Sequence, residues 1–523
     1  MVYVQWMRGA RRGVGTMAVA IVASVGVPVF AQQSAAPRAP QGAQPPAPAG
    51  QVLQLSMEQA ATMAIEYNLG VKAERLNLDV ASQDVAVSKA SFLPVVSFGI
   101  NRNNRQQPPQ AFADGTESIA SSNNIAGNGS VQQNLRWFGG QYQVRWDANR
   151  LATLGGGSTF NPNLGSTLNI AFSQPLWRDR EIDPLRGGLE ASERRRVVAD
   201  IALEQQLIAT DVSARLLYLN LVASIEGLKV ARENLGIRQE SLNQARARVA
   251  VGASAQIEVI QAEAEVANNR EQVIVAEAQI SSAEDNLRTL ILDPSRPDYW
   301  TVRLEPTDQI ALTPRQIDVD AAIKNALSNR LDLVIARRNL EITDLNIKVG
   351  RNNTLPAIDF NLNYVASGSG GVQRSASGVI ERGFGSVLGD AFGGEFPSWT
   401  VGVQVQYPIG QTAAIAQYTQ GQVQKRRQEL TLRDSELEVV RQVREAGRQV
   451  QNSLERIQAT QAALTATEQQ LEAERRRFAV GLSTTLDMQI RQSQLAQARV
   501  NELNARISYN RALINFDRVQ KTQ

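Results

Sequence analysis

The chain has no histidine and no cysteine among its 523 residues. That composition excludes thiol nucleophiles, histidine-based acid–base catalysis, Ser-His-Asp triads and the common zinc sites. It also excludes an N-terminal lipid-modified cysteine as a membrane anchor. What remains is carboxylate and guanidinium chemistry, and it is patterned at two places. Val251-Gly252-Ala253-Ser254 returns as Val480-Gly481-Leu482-Ser483, and six residues past each glycine stands an acid, Glu258 and Asp487. Glycine after a helical run supplies the positive φ that ends a helix. Thr484-Thr485-Leu486-Asp487 has the spacing of a capping box, in which hydroxyl and acid satisfy two free N–H groups at a helix start. Ala255, three residues before Glu258, offers no such cap. Arg475, Arg476 and Arg477 precede the second pair and suit either a solvated helix face or ion pairs with those acids. No catalytic constellation emerges, so no enzyme, cofactor or metal is expected.

The Val-Gly pairs punctuate a larger duplication. Residues 56–94, with Tyr67-Asn68-Leu69 and Phe92-Leu93-Pro94, are answered by residues 317–356, with Ser328-Asn329-Arg330-Leu331 and Thr354-Leu355-Pro356. Each half runs helix, Leu-Pro, strand, loop, strand, very long helix, Val-Gly turn, long helix. Seam residues alternately three and four apart mark the helices, from Tyr218 to Val249, Val259 to Leu290, Val440 to Phe478 and Met488 to Val519, with polar members such as Arg238, Glu474, Arg491 and Glu502. A 3.5-residue repeat sustained that long is a coiled coil. The helices leading into the turns, about 190–249 and 413–478, approach ~90 Å at 1.5 Å per residue. Strands show as alternation: Val96, Phe98 and Ile100; Leu168, Ile170 and Phe172; Ile358, Phe360, Leu362 and Tyr364; Val401, Val403, Val405 and Tyr407. The Gly/Ser/Asn-rich stretches 107–130 and 367–395 between them are expected to be polar loops. Residues 141–147 alternate too and offer an extra hairpin, whose membership of the sheet the pattern leaves open. Trp177, Trp399 and Tyr407 near strand ends suit a membrane-interface girdle.

Residues 1–31 read as a secretory signal peptide, with Arg8, Arg11 and Arg12 before the apolar stretch Met17–Val29. Losing those three arginines takes the 54 basic residues to 51, equal to the 51 acids, so the pI of 9.1 makes no case for nucleic acid. A Pro/Gln/Ala-rich leader, 32–52, is expected to be disordered. The first repeat spans 53–292, with strands about 94–102 and 166–176 and a hairpin tip near 250–255. A connection, 293–316, leads to the second repeat, 317–523, with strands about 357–365 and 400–408 and a tip near 479–484. No later segment reaches the ~18 apolar residues that a membrane helix requires, so any membrane crossing falls to the strands. Four strands cannot close a barrel, and open edges in lipid leave backbone groups unpaired. A membrane reading therefore compels oligomerisation, into eight strands for a dimer or twelve for a trimer.

The mature sequence resembles the TolC-type outer-membrane efflux protein family along essentially its whole length. The resemblance rests on the paired Leu93-Pro94 and Leu355-Pro356, the strand exits Gln174-Pro175-Leu176 and Tyr407-Pro408-Ile409, and the turns Val251-Gly252 and Val480-Gly481. It implies a mainly α fold with a membrane β-barrel portion: a homotrimer sharing a 12-stranded barrel in outer-membrane lipid and a helical tunnel in the Gram-negative periplasm. The implied function is a passive exit duct of a tripartite efflux or type I secretion system. Its partners would be a periplasmic adaptor (membrane fusion protein) and, indirectly, an inner-membrane pump. Adaptor docking would fall on Val251, Gly252, Ala253, Ser254, Val480, Gly481, Leu482 and Ser483. Asp487 matches one of the family's pore-constricting acids, which makes Asp487, Glu258, Arg475, Arg476 and Arg477 the gate and selectivity candidates. A symmetric ring of carboxylates at a constriction attracts cations. The family's second acidic position is Ile490 here, and Phe478 stands where the pattern has tyrosine. Two other readings compete: a pump adaptor, which predicts one hairpin with separate β-rich domains, and a soluble periplasmic coiled-coil scaffold. Drugs, metal ions and polypeptides all remain open as substrates.

Overall fold

A computed structural model describes residues 52–106, 110–111, 117–118, 121–154, 160–308, 314–375, 378–407, 409–410 and 412–520. The expected signal peptide and, Val52 apart, the leader lie outside the described residues.

The duplication is kept to the residue in the helices. α1 (Met57–Tyr67) and α5 (Val319–Asn329) each have 11 residues, α2 (Leu69–Ala90) and α6 (Leu331–Asn352) each 22. The long pair, α3 (Pro184–Ala250) and α8 (Ala413–Ala479), each have 67, and their return helices α4 (Gln256–Ile291) and α9 (Thr485–Gln520) each 36. Local chemistry starts them. Ser56 and Gln59 form a reciprocal capping box at α1, and Asp318 Oδ1 accepts the Ala321 N–H at 3.0 Å at α5. α2 and α6 both stop at a Leu-Pro step, because proline pushes the preceding residue out of the helical region, and a strand begins at once.

The helices lie side by side in two levels. Near the sheet the packing sequence is α2–α3–α6–α8, and toward the tips it is α4–α3–α9–α8. At ~100 Å, by 1.5 Å per residue, α3 and α8 run through both levels. Where the levels meet, α1 closes a core with Ala214, Tyr218, Leu221, Leu287 and Ile291, and α5 closes its counterpart with Val443, Val450, Tyr509 and Phe516. A parallel two-stranded ladder, β1 (Val52–Leu55) with β8 (Arg303–Pro306), stitches the chain's two ends of the first repeat. The Tyr218 hydroxyl donates to the Leu55 carbonyl at 3.0 Å and accepts the Asp308 N–H at 3.1 Å, while the Tyr509 hydroxyl accepts the Arg315 N–H at 3.0 Å.

One expectation is corrected here. A stretch of α3 is apolar and long enough to cross a membrane. Ala214, Tyr218, Leu219, Leu221 and Val222 lie in that helix at under 9% exposure because α1 and α4 pack on them, so part of its apolarity serves the core.

The strands are β2 (Val95–Gln106), the short pair β3 (Gln110–Ala111) and β4 (Glu117–Ser118), then β5 (Ser121–Asn134), β6 (Gln141–Leu154) and β7 (Asn163–Pro175) in the first half. The second half has β9 (Ala357–Ser375), β10 (Gly378–Arg382) and β11 (Pro397–Gln406), with a short helix α7 (Phe384–Gly393) between the last two. One antiparallel sheet runs β2-β5-β6-β7-β9-β11, with β10 pairing the far end of β9. The extra hairpin is therefore a full member, inserted between β2 and β7.

The stretches 107–130 and 367–395 are not simply loops: β5 occupies much of the first, and the end of β9, β10 and α7 occupy the second. β5 escapes the alternation test because glycines stand at apolar-face positions. Gly127 and Gly129 lie opposite Ile100 and Phe98, and the Phe98 ring lies where a Cβ on Gly129 would be 3.2 Å away. An aromatic ring from the next strand thus covers a position with no side chain of its own.

Candidate functional site: the hairpin tips and the sheet faces

Both tips are built by the same device. After α3, Gly252 (φ 73) lets its N–H reach the Val249 carbonyl at 3.0 Å and the Ala253 N–H reach Arg248 at 2.8 Å. After α8, Gly481 (φ 76) repeats this with Phe478 at 3.1 Å, and Leu482 with Arg477 at 2.9 Å. These are paired Schellman bonds, which satisfy the last free carbonyls and need a left-handed residue. The turns leave large apolar side chains in solvent: Val251 is 79% exposed, Val480 69% and Leu482 70%.

Past the turns the copies diverge. Asp487 Oδ2 accepts from the Thr484 hydroxyl at 2.6 Å and the Thr484 N–H at 3.2 Å, and Thr484 Oγ1 accepts the Asp487 N–H at 3.2 Å. Those hydrogen bonds hold its carboxyl below the ordinary aspartate value, with Arg477 and Arg491 adding longer-range attraction. The folded-state pKa being depressed, the box contributes fully above the unfolded value and is lost as pH falls through the depressed one. Glu258 has no capping partner: α4 starts at Ala255 without a side-chain cap, and Glu258 Oε2 is buried with no hydrogen bond. Thr484→Ala should copy that state at α9. The lost cap costs about 1 kcal/mol, read as roughly fivefold faster amide exchange in the first turn of α9.

Two of the three arginines pair within their own helix. Arg476 lies 3.4 Å from Glu472 and Arg477 3.6 Å from Glu474, while Arg475 lines the cleft between the hairpins. Among the described residues Asp487 makes no ion pair within 4.0 Å.

Sequence reasoning passed over the residues that join the hairpins. Arg248 Nη1 donates to Thr485 Oγ1 at 2.6 Å, and its guanidinium stands 5.3 Å from the Phe478 ring centroid, a cation–π distance. Further along, Arg238 donates to Ser493 at 3.1 Å and Arg499 to Glu233 at 3.1 Å. The clue was present in polar residues at seam positions. α3 ends at Ala250 and α8 at Ala479, a shift of 229 residues. By that shift Ala245 and Ala262, packed together in the first hairpin, correspond to Glu474 and Arg491 in the second. Glu474 is 7% exposed, with Oε2 4.0 Å from Arg491 and 3.6 Å from Arg477. An apolar contact in one copy is, in the other, a cluster of charges around a buried Glu474.

At the opposite end the sheet has two chemically distinct faces. One perpendicular row runs Val96–Val131–Val144–Ile170–Tyr364–Trp399; the adjacent row runs Ser97–Ser130–Arg145–Asn169–Val365–Ser398. The apolar face is open: Phe98 is 84% exposed and Ile100 83%. α7 covers part of it, with Phe392 6.3 Å from Trp146 and Arg382 paired to buried Asp390 at 2.8 Å. Trp177 and Tyr407 sit where strands meet helices and Trp399 at the far end of β11, all exposed.

The outer membrane efflux protein family model matches residues 61–291 and 322–519. The pyoverdine export outer membrane protein OpmQ of Pseudomonas aeruginosa is 27% identical over 213 residues, 40% of this chain and 41% of that protein's length. The fold resembles the outer membrane protein VceC of Vibrio cholerae (TM-score 0.63, 14% identity, 89% of this chain and 95% of that one). It also resembles the CmeC outer membrane channel of Campylobacter jejuni (TM-score 0.63, 14% identity, 89% of this chain and 85% of that one). With both repeats matched and a TolC-like arrangement of strands and helices, the chain belongs to the outer membrane efflux protein family.

Proposed function

We propose that the chain is one protomer of a homotrimeric exit duct in the Gram-negative outer membrane. It passively carries solutes from the periplasm outward after an adaptor docks at its tips and links it to an inner-membrane pump. One observation carries the reading: among the described residues β2 and β11 leave both edges of the sheet unpaired, while the face they share is apolar and open. In lipid an open edge costs several kcal/mol per unpaired group. β2 runs away from the helices and β11 toward them, so β11 of one copy can pair antiparallel with β2 of the next and close a ring. The helices, four abreast in each chain, continue that ring as a tunnel into the periplasm. Such a conduit requires no catalytic group.

At the tips, exposed Val251, Val480 and Leu482, with Gly252, Ala253, Ser254, Gly481 and Ser483, form the adaptor-docking surface. Asp487 and Glu258 supply negative charge at the narrowing, and Arg475, Arg476 and Arg477 temper it. Asp487→Asn keeps a capping acceptor and removes the charge, so it should weaken cation preference in planar bilayers; unchanged selectivity would remove Asp487 from the gate. The overall reading is tested by extraction. The protein should leave membranes only with detergent, as a trimer that conducts, and recovery as a soluble monomer would refute it.

A further inference from the structure

Resting on that channel reading, we propose that the hairpin β5–β6 is a built-in widening of the pore. Each chain contributes six membrane strands rather than four, and the trimer closes as an eighteen-stranded barrel. Two observations carry this, and an estimate from generic spacings agrees with them.

The hairpin continues both faces of the sheet without a register break. Ser97, Ser130, Arg145 and Asn169 share one face, and Val96, Val131, Val144 and Ile170 the other. Each of its strands has 14 residues, above the ~9–11 that a tilted membrane strand requires.

Its turn is anchored at the level where strands meet helices. Phe138 (φ 50) and Gly139 (φ 69) take the two positive-φ places of the tight turn that suits hairpin twist. A Cβ on Gly139 would stand 2.5 Å from the Asp179 carbonyl. Gln174 donates to the Phe138 carbonyl at 2.7 Å, Gln133 to Phe92 at 2.8 Å and Asn134 to Ser91 at 3.1 Å. The turn presents Trp137 and Phe138 to solvent, at 74% and 61% exposure, at the height of Trp177. An interfacial aromatic belt takes such residues.

The arc also matches. Four helices abreast, ~8–10 Å apart, span about 32–40 Å. Six strands ~4.8 Å apart, tilted ~40°, span about 38 Å, whereas four span only about 25 Å. On these spacings the width of six strands comes nearer to that of the four helices than the width of four strands does. An even number per chain preserves antiparallel closure between β2 and β11.

Barrel diameter grows roughly in proportion to strand number, so the bore is about 1.5 times that of a twelve-stranded barrel. The hairpin's luminal face carries Asn128, Ser130 and the pair Arg145–Asp147, bonded at 2.7 Å and 2.8 Å. That lining is hydrated with its charges neutralised in place. The outer-membrane portion then passes bulky polar solutes, and size selection falls to the periplasmic tips.

The chain lacks cysteine, so Ser97→Cys with Ser130→Cys is a clean reporter, the two hydroxyls being 2.8 Å apart. In the full-length, membrane-extracted trimer this pair should form an intramolecular disulfide, and electron cryo-microscopy of the unmodified protein should count eighteen strands. A trimer with twelve strands and the hairpin outside the wall, or a dimer of six-stranded sheets, would overturn the widening while leaving a channel. A soluble monomer would remove the channel reading itself, and the barrel with it.

Discussion

Ile100→Arg is expected to abolish the assembled membrane form, whereas Asn101→Arg, one residue along β2, leaves it intact. Ile100 is 83% exposed on the apolar face, opposite Gly127, and Asn101 points the other way, opposite Ala126. An arginine on the lipid face near the midplane costs about 2–4 kcal/mol, and closure requires every copy to accept it. Each 1.4 kcal/mol is tenfold, so even one copy's cost should reduce the assembled fraction by roughly 30- to 700-fold. On the luminal face an arginine stays hydrated. Trimer recovered from outer membranes by detergent, resolved on unheated gels, measures the difference. Equal recovery of the two variants would mean that the apolar face is not the lipid face.

The second large effect concerns the charge cluster under the second tip. Glu474→Ala should loosen the lower end of the second hairpin by about 1–2 kcal/mol, since it strips the partner from a partly buried Arg491, whose side chain is 38% exposed. Adding Arg491→Ala should restore stability, because the double variant recreates the Ala245–Ala262 contact of the first hairpin. Hydrogen exchange in the last turns of α8 and first turns of α9 reads both states. If the double variant is no better than the single one, the cluster owes nothing to pairing. The same substitutions bear on gating. The first tip is held by apolar packing and the second by charges that salt and water can screen, so the second hairpin is the one expected to move when the tunnel opens.

The helical half of the molecule was legible from its residues. Thr484 starts α9, Pro94 and Pro356 follow the ends of helices, and Gly252 and Gly481 turn the chain. Every one of those signals acts within about four positions of chain, so sequence spacing alone carries it. The strands divide on the same ground. Val401, Val403 and Val405 announce β11 because its apolar face is made of its own side chains. β5 has only Ile125 and Val131 for that purpose and borrows Phe98 and Trp146 from its neighbours across Gly129.

The tips repeat the contrast. The capping box at Asp487 was readable as a three-residue spacing, but the bonds of Arg248 to Thr485 and Arg238 to Ser493 join residues more than 200 positions apart. By itself the sequence determined the duplication, the course of the long helices and the places of the two turns, though it started α3 at about 190 where the helix begins at Pro184. Tertiary structure alone decided that the first repeat contributes four strands, that one face of the sheet stays apolar through its glycines, and that Glu474 and Arg491 meet inside the second hairpin. Strand pairing and charge burial depend on which distant segments lie alongside, and that information resides in no local period.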